Sequence, residues 1–170
     1  MSKNKNKNIV KKSLARLIAV QTLYQYDFYR QNHQDRDILD LLNDSPDNIL
    51  DENEDKNNKS CRKQADLAFS EKILSSIILI LPDIDKQIIS CLKDPWTIDK
   101  LPDVMLSILR CAVFELKIIR NIPLKVIINE YVDIAGSFYD NKQVSFVNSI
   151  LDTISKNIRL EENHVKENNK

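Results

Sequence analysis

Glycine is almost missing from this chain: its 170 residues include one, Gly136. A phosphate-cradling loop, a dinucleotide-binding turn and a nucleophile elbow all need glycines where backbone bends sharply or approaches a ligand, so none can be assembled. Histidine is nearly as scarce, with His33 and His164 far apart in polar surroundings. The three cysteines, Cys61, Cys91 and Cys111, form no CxxC pair. An odd, scattered set reads as reduced thiols of a cytosolic protein, not as a disulfide framework or a zinc site. No paired-carboxylate pattern stands out for acid-base work. These gaps argue for a protein that is not an enzyme and holds neither metal nor cofactor.

Net charge is also missing, with 25 basic residues against 25 acidic ones. No global field advertises a nucleic-acid binder, so any such binding must come from local segregation of charge. No apolar run reaches the roughly 18 residues of a membrane span. The segment Met1 to Lys12 is too polar for a signal peptide, and a cytoplasmic location is expected.

What the chain does have is helical periodicity. Period-two alternation is absent, and apolar residues recur at helical spacing almost throughout. The pattern predicts helices over about 9–30, a short piece near 38–42, then 64–81 ended by Pro82 and 83–93 ended by Pro95. A further helix starts at Pro102, where a missing N–H costs nothing. It buries Met105, Ile108, Leu109, Ala112, Val113 and Leu116, and helices over 124–139 and 144–158 follow. The expected fold is all-α, with about seven helices. Residues 1–10 read as a flexible basic arm, 11–160 as the helical domain and 161–170 as a disordered tail. Residues 44–63 read as a flexible acidic loop, since six acids and several asparagines cannot bury enough apolar surface to order themselves.

Two linked signatures carry more information than the periodicity. Ile108-Leu109-Arg110-Cys111-Ala112-Val113-Phe114-Glu115-Leu116 is followed, after Pro123, by Ile128-Asn129-Glu130. Phe146-Val147-Asn148-Ser149-Ile150-Leu151-Asp152 then closes the hairpin, and Ala15-Arg16, Ala19, Gln21, Leu23 and Tyr24 stand upstream. Together these resemble the bacterial transcription antitermination factor NusB family, over roughly Lys11 to Ile158. Several ordered motifs on one chain are far harder to obtain by chance than one short pattern. The resemblance implies two small packed helical bundles. It implies a factor that binds the boxA element of nascent ribosomal RNA transcripts together with NusE, a small-subunit ribosomal protein, within the RNA polymerase antitermination complex. Two rivals remain: a structural homodimer or RNA-binding module in ribosomal RNA maturation, and the front domain of an RNA cytosine methyltransferase. The second would need a glycine-rich cofactor loop.

The candidate residues fall into three groups. Lys3, Lys5, Lys7, Lys11, Lys12 and Arg16 precede any acid, and such a cluster can neutralise phosphates. From the residues alone a solvated basic tail is the favoured account of it. The resemblance implies RNA contact by Lys11, Lys12 and Arg16, with Lys142, Gln143 and Phe146 completing that surface. The turn 140–145 would add amide and hydroxyl donors for phosphates at a helix N-terminus. For the protein partner the resemblance implies Tyr24 and the region of Asp103 and Met105. Tyr24, Tyr26, Phe28 and Tyr29 cannot all point inward, so at least one ring should reach the surface. Arg110, Glu115, Asn129, Glu130 and Asn148 read as structural: a cation paired with carboxylates, and polar groups satisfying a buried junction. Gly136 costs a helix roughly 1 kcal/mol, which close helix contact would explain.

Overall fold

A computed structural model describes residues 2–44 and 61–168, with side chains over 7–44 and 63–158. Every regular element among the described residues is helical, in keeping with the periodicity. The helices are α1 (Ser2–Gln31), α2 (Ile38–Asp44), α3 (Cys61–Gln64, a single turn), α4 (Leu67–Cys91), α5 (Asp103–Ile118), α6 (Leu124–Gly136) and α7 (Asn141–Asn168), with a 3-10 turn at Ile98–Lys100 before α5. The chain forms two compact units, Met1–Leu79 and Ile80–Lys170, and α4 runs through the division.

In the first unit α1 packs on α2 and α3. Ala15, Ile18, Ala19, Val20 and Leu23 of α1 are buried, as are Ile38, Leu41 and Leu42 of α2. The small alanines leave room for another helix to approach. Ser70 of α4 uses that closeness to donate to the Ala15 carbonyl at 2.9 Å. Aspartates set the helix starts. Asp37 accepts from the amides of Leu39 and Asp40, and Asp66 accepts from that of Phe69. At the end of α1, His33 takes a left-handed conformation (φ 56°), where glycine usually stands in chains that can spare one.

In the second unit α5, α6 and α7 pack pairwise. From Cys111 to Leu116 every residue of α5 is buried, the mark of a helix covered on all sides. Glu115 is among them. Its carboxylate accepts a hydrogen bond from the Tyr131 hydroxyl of α6 at 3.1 Å, so the acid is not left without a donor.

Three expectations need correction. Pro82 does not stop its helix; it lies inside α4. An internal proline costs about 3 kcal/mol, but the stripe Ile73, Ile77, Leu81, Ile84 and Ile88 continues across it in helical register. Burying each such side chain contributes roughly 1.5–3 kcal/mol, so the residues beyond the proline outweigh its cost. Helix α1 begins at Ser2 and α7 continues to Asn168, both beyond the periodic apolar residues that the sequence reading followed. Gly136 makes no close contact: a Cβ built there meets nothing within 4 Å. The acidic loop lies outside the described residues but for its ends.

Candidate nucleic-acid interface

The start of α7 is built by an exchange of hydrogen bonds. Asp140 Oδ1 accepts from the amides of Lys142 (2.9 Å) and Gln143 (3.1 Å), while the Gln143 side-chain oxygen accepts from the Asp140 amide at 3.3 Å. This reciprocal cap satisfies donors that would otherwise be orphaned. It also corrects the expected phosphate site, because those amides are already engaged by a carboxylate. The Ser145 hydroxyl is engaged too, donating to the Asn141 carbonyl at 2.7 Å. The Lys142 side chain at this turn is exposed.

Beside that cap lies a cleft of about 360 Å³ lined by Trp96, Lys100, Pro102, Met105, Lys142, Gln143 and Phe146. The Trp96 and Phe146 ring centroids are 5.4 Å apart with planes tilted by 44°. The structure thus brings Lys142, Gln143 and Phe146 together and adds Trp96 and Lys100, which the sequence reading missed. A usable signal existed: Trp96 is the sole tryptophan and stands between Pro95 and Pro102, outside any periodic segment. Lys100 Nζ donates to the Pro95 carbonyl at 3.0 Å and so fastens the loop that carries the indole.

Met105, in the first turn of α5, is buried and presents little side chain to a partner, whereas Asp103 in the same turn is exposed. Tyr139 ties this end of α5 to the turn before α7. Burial pushes its phenol pKa above the ordinary value, and the nearby Asp103 carboxylate adds to the rise, while a hydrogen bond with the Met105 backbone opposes both.

In the first unit Lys11 and Lys12 are half-buried. Lys12 Nζ sits 4.2 Å from the centroid of the Phe69 ring, within cation–π range. Arg16 departs from expectation, being only 2% exposed, with its guanidinium 5.4 Å from the same ring. Its spacing to Ala19, Val20 and Leu23 explains this, because residues three, four and seven positions on share its helix face. Arg16 belongs to the core. Tyr24 lines a second cleft, of about 320 Å³, with Gln25, Phe28, Tyr29, Arg36, Leu41 and Asp44. Of the four aromatics near the end of α1, Phe28 is exposed and Tyr24, Tyr26 and Tyr29 are half-buried. Arg36 closes the cleft by pairing with Asp44 at 2.6 Å.

The structural polar set is rearranged. Arg110 is held by Asp85 of α4, which the sequence reading did not single out, and Glu115 by Tyr131. Asn129 is exposed, so it does not satisfy a buried group; Glu130 beside it is half-buried. Asn148 lies in the third turn of α7, past the helix start, whose cap is made by Asp140. No helix among the described residues is long and apolar enough to cross a membrane. No group of three or more potential metal ligands occurs among the described residues.

The NusB family profile matches residues 13–156. The chain belongs to the NusB family. It is 30% identical over 162 residues to the transcription antitermination protein NusB of Sphingopyxis alaskensis, covering 91% of this chain and 98% of that protein. It is 32% identical over 165 residues to the NusB of Rhizobium etli, covering 95% and 98%. Among solved structures it is similar to T. maritima NusB, with a TM-score of 0.66, 30% identity, and coverage of 85% of this chain and 89% of that one. A second NusB structure, solved with NusE and double-stranded RNA, shares the fold at a TM-score of 0.63 and 24% identity, covering 85% and 95%.

Proposed function

We propose that this NusB-family chain is a transcription antitermination factor that binds boxA RNA of nascent ribosomal RNA transcripts jointly with NusE, and so helps RNA polymerase pass premature terminators. It makes and breaks no bond; it positions RNA and partner within the antitermination complex, in the cytoplasm. The observation that carries the reading is the cation-flanked aromatic cleft at the start of α7, where Lys142 and Phe146 meet Trp96 and Lys100. Lys11 and Lys12 on α1 add positive charge for the backbone of the RNA, and Gln143 adds an amide. Tyr24 and Asp103 face the protein partner. Arg16 drops out of the RNA set because it is buried.

Single-strand binding of this kind combines phosphate neutralisation with base stacking on aromatic rings. NusE and RNA are the partners named for the solved NusB complex, and they are the pair to test here. A pull-down with NusE and boxA RNA, singly and together, should recover both together, with RNA affinity at least tenfold higher when NusE is present. RNA held equally tightly without NusE would remove joint binding. Sedimentation in the absence of NusE would identify the homodimer, the rival reading.

A further inference from the structure

We infer that the cleft between Trp96 and Phe146 is a pocket for one unpaired base of a bound RNA strand, with the Trp96 indole as its stacking platform. The inference deepens the RNA-binding reading and rests on it. Trp96 is 46% exposed on the segment between α4 and the 3-10 turn, an unusual place to leave the largest aromatic side chain in water. The indole is nonetheless fixed: Lys100 bonds the Pro95 carbonyl at 3.0 Å, and Phe146 abuts the ring with centroids 5.4 Å apart. A tilt of 44° keeps the two rings from lying face to face, so indole surface remains for a third planar group. The floor is apolar, made by Pro102 and the buried Met105, whose thioether suits contact with aromatic rings.

The charge around the cleft selects the occupant. Its lining includes the cations Lys100 and Lys142 and no carboxylate. An apolar side chain from a protein partner would use the floor but not the cations. A nucleotide uses both: the base lies on the ring, and its flanking phosphates meet the ammonium groups. The volume of about 360 Å³ falls at the lower end of clefts that hold small ligands. Every base has a flat face, so this pocket contributes affinity with little sequence preference. Within it Trp96 binds the base directly, and the Lys100 ammonium also holds the Pro95 carbonyl of the segment that carries the indole.

Trp96 is the sole tryptophan of the chain, so its emission reports on the pocket without a label. The test titrates the full-length protein with single-stranded boxA RNA. It reads indole emission together with affinity from the anisotropy of labelled RNA. Quenching of the emission in step with binding is expected, with about a tenfold loss of affinity in Trp96→Ala and less than about a threefold loss in Trp96→Phe, which keeps a ring. RNA that binds while emission stays unchanged, and binds Trp96→Ala as well as the unaltered chain, would overturn the pocket and leave the RNA-binding reading standing. RNA that fails to bind with or without NusE would overturn both. Quenching by NusE alone, with no further change on adding RNA, would assign the cleft to protein and overturn the inference. The emission arm uses the unaltered chain, so the outcome does not depend on the variants folding.

Discussion

Arg110 of α5 and Asp85 of α4 meet through two parallel hydrogen bonds, Nε to Oδ1 and Nη2 to Oδ2, each 2.7 Å long. The two helices they join are the ones on either side of the Trp96 segment. Forked geometry of this kind is the strongest a guanidinium makes with a carboxylate. The side chains are 12% and 23% exposed, which places the pair between a surface ion pair and a buried one. Surface pairs contribute about 0–1 kcal/mol, and breaking a buried pair costs about 3–5 kcal/mol. Asp85→Ala and Arg110→Ala should each lose about 2 kcal/mol in urea unfolding, discounted from the buried figure for partial solvent screening. A double-mutant cycle should return a coupling above about 1 kcal/mol. Coupling near zero would show that the contact does not hold the two helices.

Arg16 and Lys12 are neighbours on α1 with opposite fates. Arg16→Glu would put a carboxylate into a buried site and should destabilise the protein by more than about 2 kcal/mol. Lys12→Glu, at a half-buried position whose ammonium rests on a ring face, should stay within about 1 kcal/mol of the parent. Thermal melts of the two variants settle the contrast. Equal melting temperatures would return Arg16 to the surface.

Gly136 ends α6, takes no positive φ and leaves open space where a Cβ would go. Gly136→Ala should therefore stabilise the protein by about 0.5–1 kcal/mol, chiefly by removing conformational freedom from the unfolded chain. A denaturant midpoint that moves downward would mean that glycine is required there for contact.

Tyr139 carries a phenol pKa raised by burial and by the Asp103 carboxylate. The folded protein thus favours the neutral phenol more than the unfolded chain does. Its contribution is fully present below the unfolded value of about 10 and is lost as pH rises through the higher folded value. Stability should fall in that alkaline window, and Tyr139→Phe should fall less. Parallel pH–stability curves for the two proteins above pH 10 would contradict the shift.

Much of the fold was legible because helical period records burial directly. The spacing places Met105, Ile108, Leu109, Ala112, Val113 and Leu116 in the core of α5, and all six are buried. Pro82 breaks a helix locally, but the apolar stripe continues on both sides of it, and the burial of that stripe prevails. At Arg16 the charge points to the surface, while its register with Ala19, Val20 and Leu23 places it inside. The pairings of Asp85 with Arg110 and of Trp96 with Phe146 are not legible in the sequence, because the partners lie far apart along the chain. No periodic pattern encodes such a meeting. Gln143 shows a further limit, since Asp-x-x-Gln before a helix is a capping signature legible in the sequence, and here its side-chain oxygen and backbone amide make the cap with Asp140.

Lys12 on α1 and Lys142 at the start of α7 are each proposed to contact RNA phosphates. The direct test measures affinity for single-stranded boxA RNA, with NusE present, against salt concentration for the parent, Lys12→Ala, Lys142→Ala and the double variant. Each lysine removed should flatten the slope of log affinity on log salt by about 0.7, and the double variant by about twice that, with unfolding midpoints nearly unchanged. A slope equal to the parent's in all three variants would contradict the account.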